Sequence, residues 1–168
     1  REATTGAIVR IGPAAVEPFL FNLFSDPEIF KFPFPRLTQR LAARLIARRR
    51  APQARAAYHA IGGRSPLLEN TRRQAEALRQ ALAPHGAFTV EPCMRYWHPL
   101  TREVVAALKA RALERCVLLP LYPQYSLTTT GSSYNEFMRE CARQGFNPRT
   151  RLIPRWYDDP DYQQAVVE

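Results

Sequence analysis

Cysteine is scarce in this chain and shows no pairing pattern. Cys93, Cys116 and Cys141 are odd in number and lie about two dozen residues apart, with no Cys-x-x-Cys pair. That usage argues against a disulfide framework or a structural zinc site and fits a reducing compartment. Long apolar runs are missing as well. The longest candidate, Cys116 to Tyr122, is broken by Pro120 and falls far short of the roughly 18 residues that would suggest a membrane span. No charged head, apolar core and small-residue cleavage site follow one another at the N-terminus, so no secretory signal is expected. The pattern G-x-x-x-x-G-K-[ST] is absent, around IGGRSP and elsewhere, which excludes a nucleotide P-loop. His59, His85 and His98 show no H-x-x-x-H spacing and no cysteine neighbour, so a permanent protein-bound metal has little support. Internal repeats and low-complexity segments are also lacking.

Negative charge is missing from one long stretch. No acidic residue lies between Glu28 and Glu69, while Lys31, Arg36, Arg40, Arg44, Arg48, Arg49, Arg50, Arg55 and Arg64 fall inside it. These nine account for the whole net charge of +9, because the remaining 15 of the 24 cations balance the 15 carboxylates. A basic excess confined to one place points to an anionic partner at that place.

What is present reads as one α/β domain, the expectation for 168 residues of ordinary globular composition. Val16, Phe19, Leu20 and Leu23 give a helix ending near Ser25-Asp26-Pro27. Thr38 is placed to cap a second helix that carries Leu41 and Leu45 and ends before Pro52. Ser65-Pro66 opens a third helix, with proline at its first position. AFTVEPCM reads as a strand, Thr101 as the cap of REVVAALKARAL, and CVLLPLY as a more apolar strand. A helix from about Ser133 to Arg143 stops at Gly145; TRLIPRW could form a further strand and DPDYQQAVVE the start of a last helix. This alternation predicts a parallel sheet with helices on both faces, whose ligands sit beyond the carboxyl ends of the strands.

Four segments could carry chemistry. Thr128 to Ser133 place hydroxyls and glycine at a strand-to-helix junction, where an anion or a plain capping loop fits equally well. Arg95, Tyr96, Trp97 and His98 set a cation beside flat rings, suited to a planar or acidic ligand, although a lone histidine is more often structural. Arg40, Arg44 and Arg48 form a stripe that solvation alone would explain; Arg49-Arg50, at the expected helix end, can grip carboxylates or phosphates bidentately. Gly62-Gly63 permit either a close backbone approach or a simple turn before Ser65.

Together these segments resemble ferrochelatase, which inserts ferrous iron into protoporphyrin IX to give protohaem, the last step of haem biosynthesis. The likeness is carried by FLFNLFSDPEI, IARRRAP, YHAIGGRSPL, MRYWHPLT and LPLYPQYSLTTTGSS, in the family's order and spacing. It runs from Val16 to the C-terminus and covers about the first half of a family member. It implies the first of two three-layer α/β/α chelatase-type domains. Residues 16–156 would form that domain, 1–15 a disrupted first strand that keeps only a Gly-Pro of its motif, and 157–168 the start of a connection to the second domain.

By resemblance, Arg49, Arg50, Tyr58 and Ser65 match positions around the porphyrin propionates. Arg95 and Tyr96 match the pair beside the cleft on the side of metal delivery, and Tyr122 matches a cleft-lining tyrosine. The family's essential histidine belongs to a Ser-Ala-His-x-Leu-Pro motif expected beyond Glu168, so no catalytic residue is assigned and the fragment alone is expected to be inactive. Iron is implied as a substrate and no cofactor is expected. Leu127 stands where animal members place a cysteine for an iron–sulfur cluster, which argues against that cluster here. The implied partners are protoporphyrin IX, ferrous iron and the missing C-terminal half, in the cytoplasm, with peripheral membrane contact allowed and no nucleic acid expected. Two alternatives stay open: a short chelatase that pairs with itself, and a basic non-catalytic nucleic-acid-binding domain.

Overall fold

A computed structural model describes residues 13–30, 35–63 and 65–167. The disrupted strand expected over residues 1–15 lies almost wholly outside them. The chain divides into two compact units, Arg1–Pro99 and Leu100–Glu168.

In the first unit a 3-10 turn, Pro13–Ala15, leads into α1, Val16–Phe24, followed by α2, Pro35–Ala60, and α3, Leu67–Leu82. Helix α1 ends where the sequence predicts. Its companion α2 differs from expectation in three ways. It starts at Pro35, ahead of the expected Thr38 cap. It runs straight past Pro52 to Ala60. Its buried face is not the leucine stripe: Leu41 and Leu45 are 68% and 60% exposed, whereas Ala43, Ala47 and Ala51 are buried. These alanines recur every four residues on one face and let α1 approach closely, at no cost in side-chain entropy. A proline inside a helix costs about 3 kcal/mol in lost hydrogen bonding and steric clash. The packed face immediately before it overrides that local preference.

Buried Gln39 ties the two helices together, its Nε2 donating to the carbonyls of Phe24 and Phe30, both at 3.0 Å. Beyond α2 the chain reverses through Gly62 and Gly63, at φ 91° and 79°. The Gly63 N–H donates to the Tyr58 carbonyl at 2.8 Å and closes the helix end. An added Cβ would meet open space at either glycine, so the left-handed backbone, and not crowding, requires glycine there. Ser65 Oγ then accepts from Leu67 N–H at 3.3 Å, but α3 starts at Leu67, so Pro66 and not Ser65 is its N-cap and the proline stands one place before the first helical position expected for it. Among the described residues the strand expected at AFTVEPCM does not form: only its last residue, Met94, makes a bridge, its N–H donating to the Pro99 carbonyl at 2.8 Å, and Phe88 is half exposed. A strand is stabilised by its neighbours, which an apolar run alone does not supply.

The second unit contains α4, Thr101–Ala110; β1, Arg115–Leu118; a π-helical turn, Leu127–Gly131; α5, Ser132–Gln144; β2, Arg149–Leu152; and α6, Pro160–Val167. Thr101 is the first residue of α4, not its cap; the Glu103 carboxylate instead accepts from Leu100 N–H at 2.8 Å. Strands β1 and β2 pair in parallel from Arg115 opposite Arg149 to Leu118 opposite Leu152. With α5 between them they form the parallel crossover predicted from the order of elements, giving a helix-rich α/β chain. Gly145, at φ 62°, ends α5 in the left-handed conformation its position predicted. The core of this unit gathers Val105, Cys116, Phe137, Cys141 and Phe146. Burial pushes the Cys116 thiol up. Burial, then the neighbouring Cys116 and Glu140, pushes Cys141 up to about 11.

Candidate functional site

Asp26, just beyond the C-terminus of α1, is the centre of a polar cluster in the first unit. Its carboxylate is buried. Asp26 Oδ2 accepts from the Arg95 guanidinium at 2.5 Å and from the Tyr96 hydroxyl at 2.7 Å, while Oδ1 accepts from Glu28 N–H at 2.9 Å. Arg95 also lies over the Tyr96 ring, 5.1 Å from its centroid, and Asn22 Nδ2 donates to the Tyr96 carbonyl at 3.0 Å. The Arg-Tyr pair singled out in sequence is therefore fastened to α1 through contacts spanning about seventy positions. Its polar ends face a carboxylate of the chain itself. Sequence reasoning treated Asp26 only as part of a helix-ending Ser-Asp-Pro. Its appearance inside the quoted segment FLFNLFSDPEI was the one available signal.

Arg49 and Arg50 are both exposed on α2. As successive helical residues they point about 100° apart, so they offer two separate guanidiniums and not one fork. Tyr58 and Ser65 are half-buried on either side of the Gly62-Gly63 turn. Tyr58 and Ser65 thus lie near the turn, whereas Arg49 and Arg50 sit inside α2, ten or more residues before its end at Ala60, and not at the helix end expected for them. Arg95 and Tyr96 form a separate pair on Asp26. Among the described residues no group of three or more His, Cys, Asp or Glu side chains could hold a metal ion.

In the second unit Tyr122 is 43% exposed and Tyr125 49% exposed, in the loop that leaves β1. The hydroxyl-rich segment that follows is folded onto itself. Ser126 accepts from Thr128 N–H through its Oγ, and from Thr129 N–H and Gly131 N–H through its carbonyl, at 3.2, 3.3 and 3.0 Å. Ser132 Oγ donates to the Thr128 carbonyl at 3.0 Å. These donors are satisfied within the loop, as capping requires, while the buried Thr130 Oγ1 has no partner among the described residues. Leu127 projects to solvent, 75% exposed. Trp156, not noticed in the sequence, braces the loop by donating Nε1–H to the Pro120 carbonyl and its backbone N–H to the Pro123 carbonyl, at 3.0 and 2.9 Å.

Known proteins share these segments. A family model described as Ferrochelatase matches residues 11–168. A ferrochelatase of Geotalea daltonii is 48% identical over 156 residues, covering 92% of this chain and 48% of the relative. Ferrochelatases of a Synechococcus strain and of Gloeobacter violaceus are 49% and 47% identical, with 92% and 91% of this chain and 46% and 47% of their own lengths covered. The chain thus spans about half the length of the curated relatives it matches. The match extends through both structural units, and the chain belongs to the ferrochelatase family.

Proposed function

We propose that this chain serves ferrochelatase chemistry, the exchange of two pyrrole protons of protoporphyrin IX for Fe2+, by supplying the propionate-binding side of the porphyrin site. What supports this reading is the ferrochelatase match, whose likeness assigns Arg49, Arg50, Tyr58 and Ser65 to the propionates; Arg49 and Arg50 lie exposed inside α2, and half-buried Tyr58 and Ser65 flank the Gly62-Gly63 turn. In this reading residues 16–156 form the family's first chelatase-type domain, and Tyr122 contributes a ring to the porphyrin surface. Arg95 and Tyr96 line the side of metal delivery, held in place by Asp26.

Burying roughly 300 Å² of apolar macrocycle at ~25 cal/mol/Å² would supply about 7 kcal/mol before the costs of association. A charge-assisted hydrogen bond to a propionate adds only about 1.5–3 kcal/mol. Ring burial would therefore set affinity and the arginines orientation. Bending the macrocycle, at the expense of binding energy from the rest of the ring, would expose a nitrogen lone pair to the incoming metal. The proton acceptor is assigned to the part of the family's length this chain does not span, so the chain by itself is proposed to bind porphyrin without inserting iron. The self-pairing chelatase and the nucleic-acid-binding domain are not favoured by the family membership. No described helix is long and apolar enough to cross a membrane.

The reading is tested by titrating the chain with a stable metalloporphyrin and following the fluorescence of Trp97 and Trp156. Saturable quenching is expected, and its absence in a folded sample would overturn the proposal.

A further inference from the structure

The two-stranded sheet of the second unit has one face in its core and one face open. Along β1 and the residues after it exposure alternates: Cys116 is buried and Leu118 half-buried, whereas Arg115, Val117, Leu119 and Leu121 are exposed. Along β2 Arg149 and Arg151 are exposed, while Thr150 and Leu152 are half-buried. The parallel register sets Arg149 opposite Arg115 and Arg151 opposite Val117, so these four side chains leave the same face. Parallel sheets are rarely left open on one side.

That face holds cations where they repel one another. Arg115 and Arg149 stand directly across the ladder, where like charges destabilise a sheet, and Arg151 follows two residues on. Among the described residues none of the three makes an ion pair, whereas Arg139 and Arg143 on α5 pair with Glu136 and Glu140. The opposite charge gathers at the other end of the same sheet. Trp156, bonded to the carbonyls of Pro120 and Pro123 beyond the end of β1, is followed by exposed Asp158, Asp159 and Asp161. Asp159 Oδ1 accepts from the N–H groups of Asp161 and Tyr162, and so caps α6. Among the described residues Asp158 and Asp161 make no ion pair; the neighbouring Arg155 lies over the Tyr157 ring, 5.6 Å from its centroid. The arginines stand at the amino ends of the strands and the carboxylates past their carboxyl ends. At ~3.3 Å per residue the four-residue strands alone hold them roughly 10 Å apart, beyond the reach of an ion pair within one copy.

We propose that two copies of this chain pair through this face about a two-fold axis, with their strands antiparallel. Each arginine end then meets the acidic turn of the other copy, twice over, and Val117, Leu119 and Leu121 are covered between the two charged ends. A patch that meets itself closes at two copies and does not grow into a filament. An unrelated acidic partner would satisfy the arginines and leave the aspartates unused; a second copy satisfies both. The pairing uses none of Arg49, Arg50, Tyr58 and Ser65, stands independently of the porphyrin reading, and its test contains no porphyrin.

Sedimentation equilibrium of the whole chain tests the pairing. A monomer–dimer equilibrium is expected at ~0.02 M salt, with a dissociation constant raised ~10-fold or more at ~0.5 M, where screening reaches only a few ångströms. Arg149→Glu with Arg151→Glu is expected to leave monomer, and so is Asp158→Arg with Asp161→Arg, which keeps Asp159 as the cap of α6. An equimolar mixture of the two variants is expected to restore a dimer as the mixed species, because opposite charges then face each other at both ends. Should the arginine variant fail to fold, the aspartate variant, altered in an exposed turn, and the salt series still decide. A monomer at every concentration and salt, a dimer that neither salt nor a folded variant weakens, or two folded variants that stay apart when mixed would each overturn the proposal.

Discussion

At the scale of single residues, buried Asp26 joins the Arg95 guanidinium, the Tyr96 hydroxyl and the Glu28 N–H. Replacing it with alanine would remove the Asp26 carboxylate from the Arg95 guanidinium, which is 13% exposed. Removing one partner of a buried ion pair costs about 3–5 kcal/mol, because the remaining charge stays desolvated. Urea denaturation of Asp26→Ala should therefore show a loss near the lower end of that range, since Tyr96 and Asn22 still hold the segment; a loss under ~1 kcal/mol would mean that water replaces the carboxylate without penalty. Arg95 and Tyr96 were legible in the sequence because a cation beside rings is unusual. Their partner was not, because it lies 69 and 70 positions away and tertiary pairs leave no local spacing.

Among the elements, periodicity identified most helices and failed at one informative place. Leu41 and Leu45 look like the core stripe of α2, but the alanine stripe is buried instead. Alanine carries little hydrophobic signal, and its value here is closeness of approach, which depends on the partner helix. The extension through Pro52 was hidden for the same reason, since packing on α1 decides it. Turn chemistry was more readable, and two glycines separate its causes. Gly63→Ala, at φ 79°, should cost about 1–2 kcal/mol, because an L side chain resists the left-handed region. Gly131→Ala should instead be neutral or stabilise by up to ~1 kcal/mol. Gly131 has helical dihedrals, and its added Cβ would meet the tip of half-exposed Tyr125, 3.1 Å from the hydroxyl, with the Ser126 carbonyl at an ordinary contact distance of 3.5 Å. Thermal unfolding of the two variants checks this, and the same sign for both would contradict the distinction.

For the molecule as a whole, the order of elements made the parallel crossover legible, and the quoted motifs made the family legible. What they could not give was the commitment of each polar group, such as the hydroxyl loop turned in upon Ser126. Core composition also sets a pH limit. Cys141 titrates at about 11 when folded against an ordinary value of 9.0. Between those values the unfolded chain loses a thiol proton that the folded chain keeps, so stability falls as pH rises through that window. The fall should be smaller in Cys141→Ala than in the wild type when chemical denaturation is repeated at pH 8 and at about pH 10.5. Identical slopes would show that burial does not govern this thiol.

The central claim, that this chain orients a porphyrin by its propionates, is tested most directly by pairing Arg49→Ala and Arg50→Ala with two ligands, a dicarboxylic porphyrin and its dimethyl ester. The account predicts that the double variant weakens binding of the diacid by about tenfold or more and leaves the ester nearly unchanged. Equal losses for both ligands would contradict it.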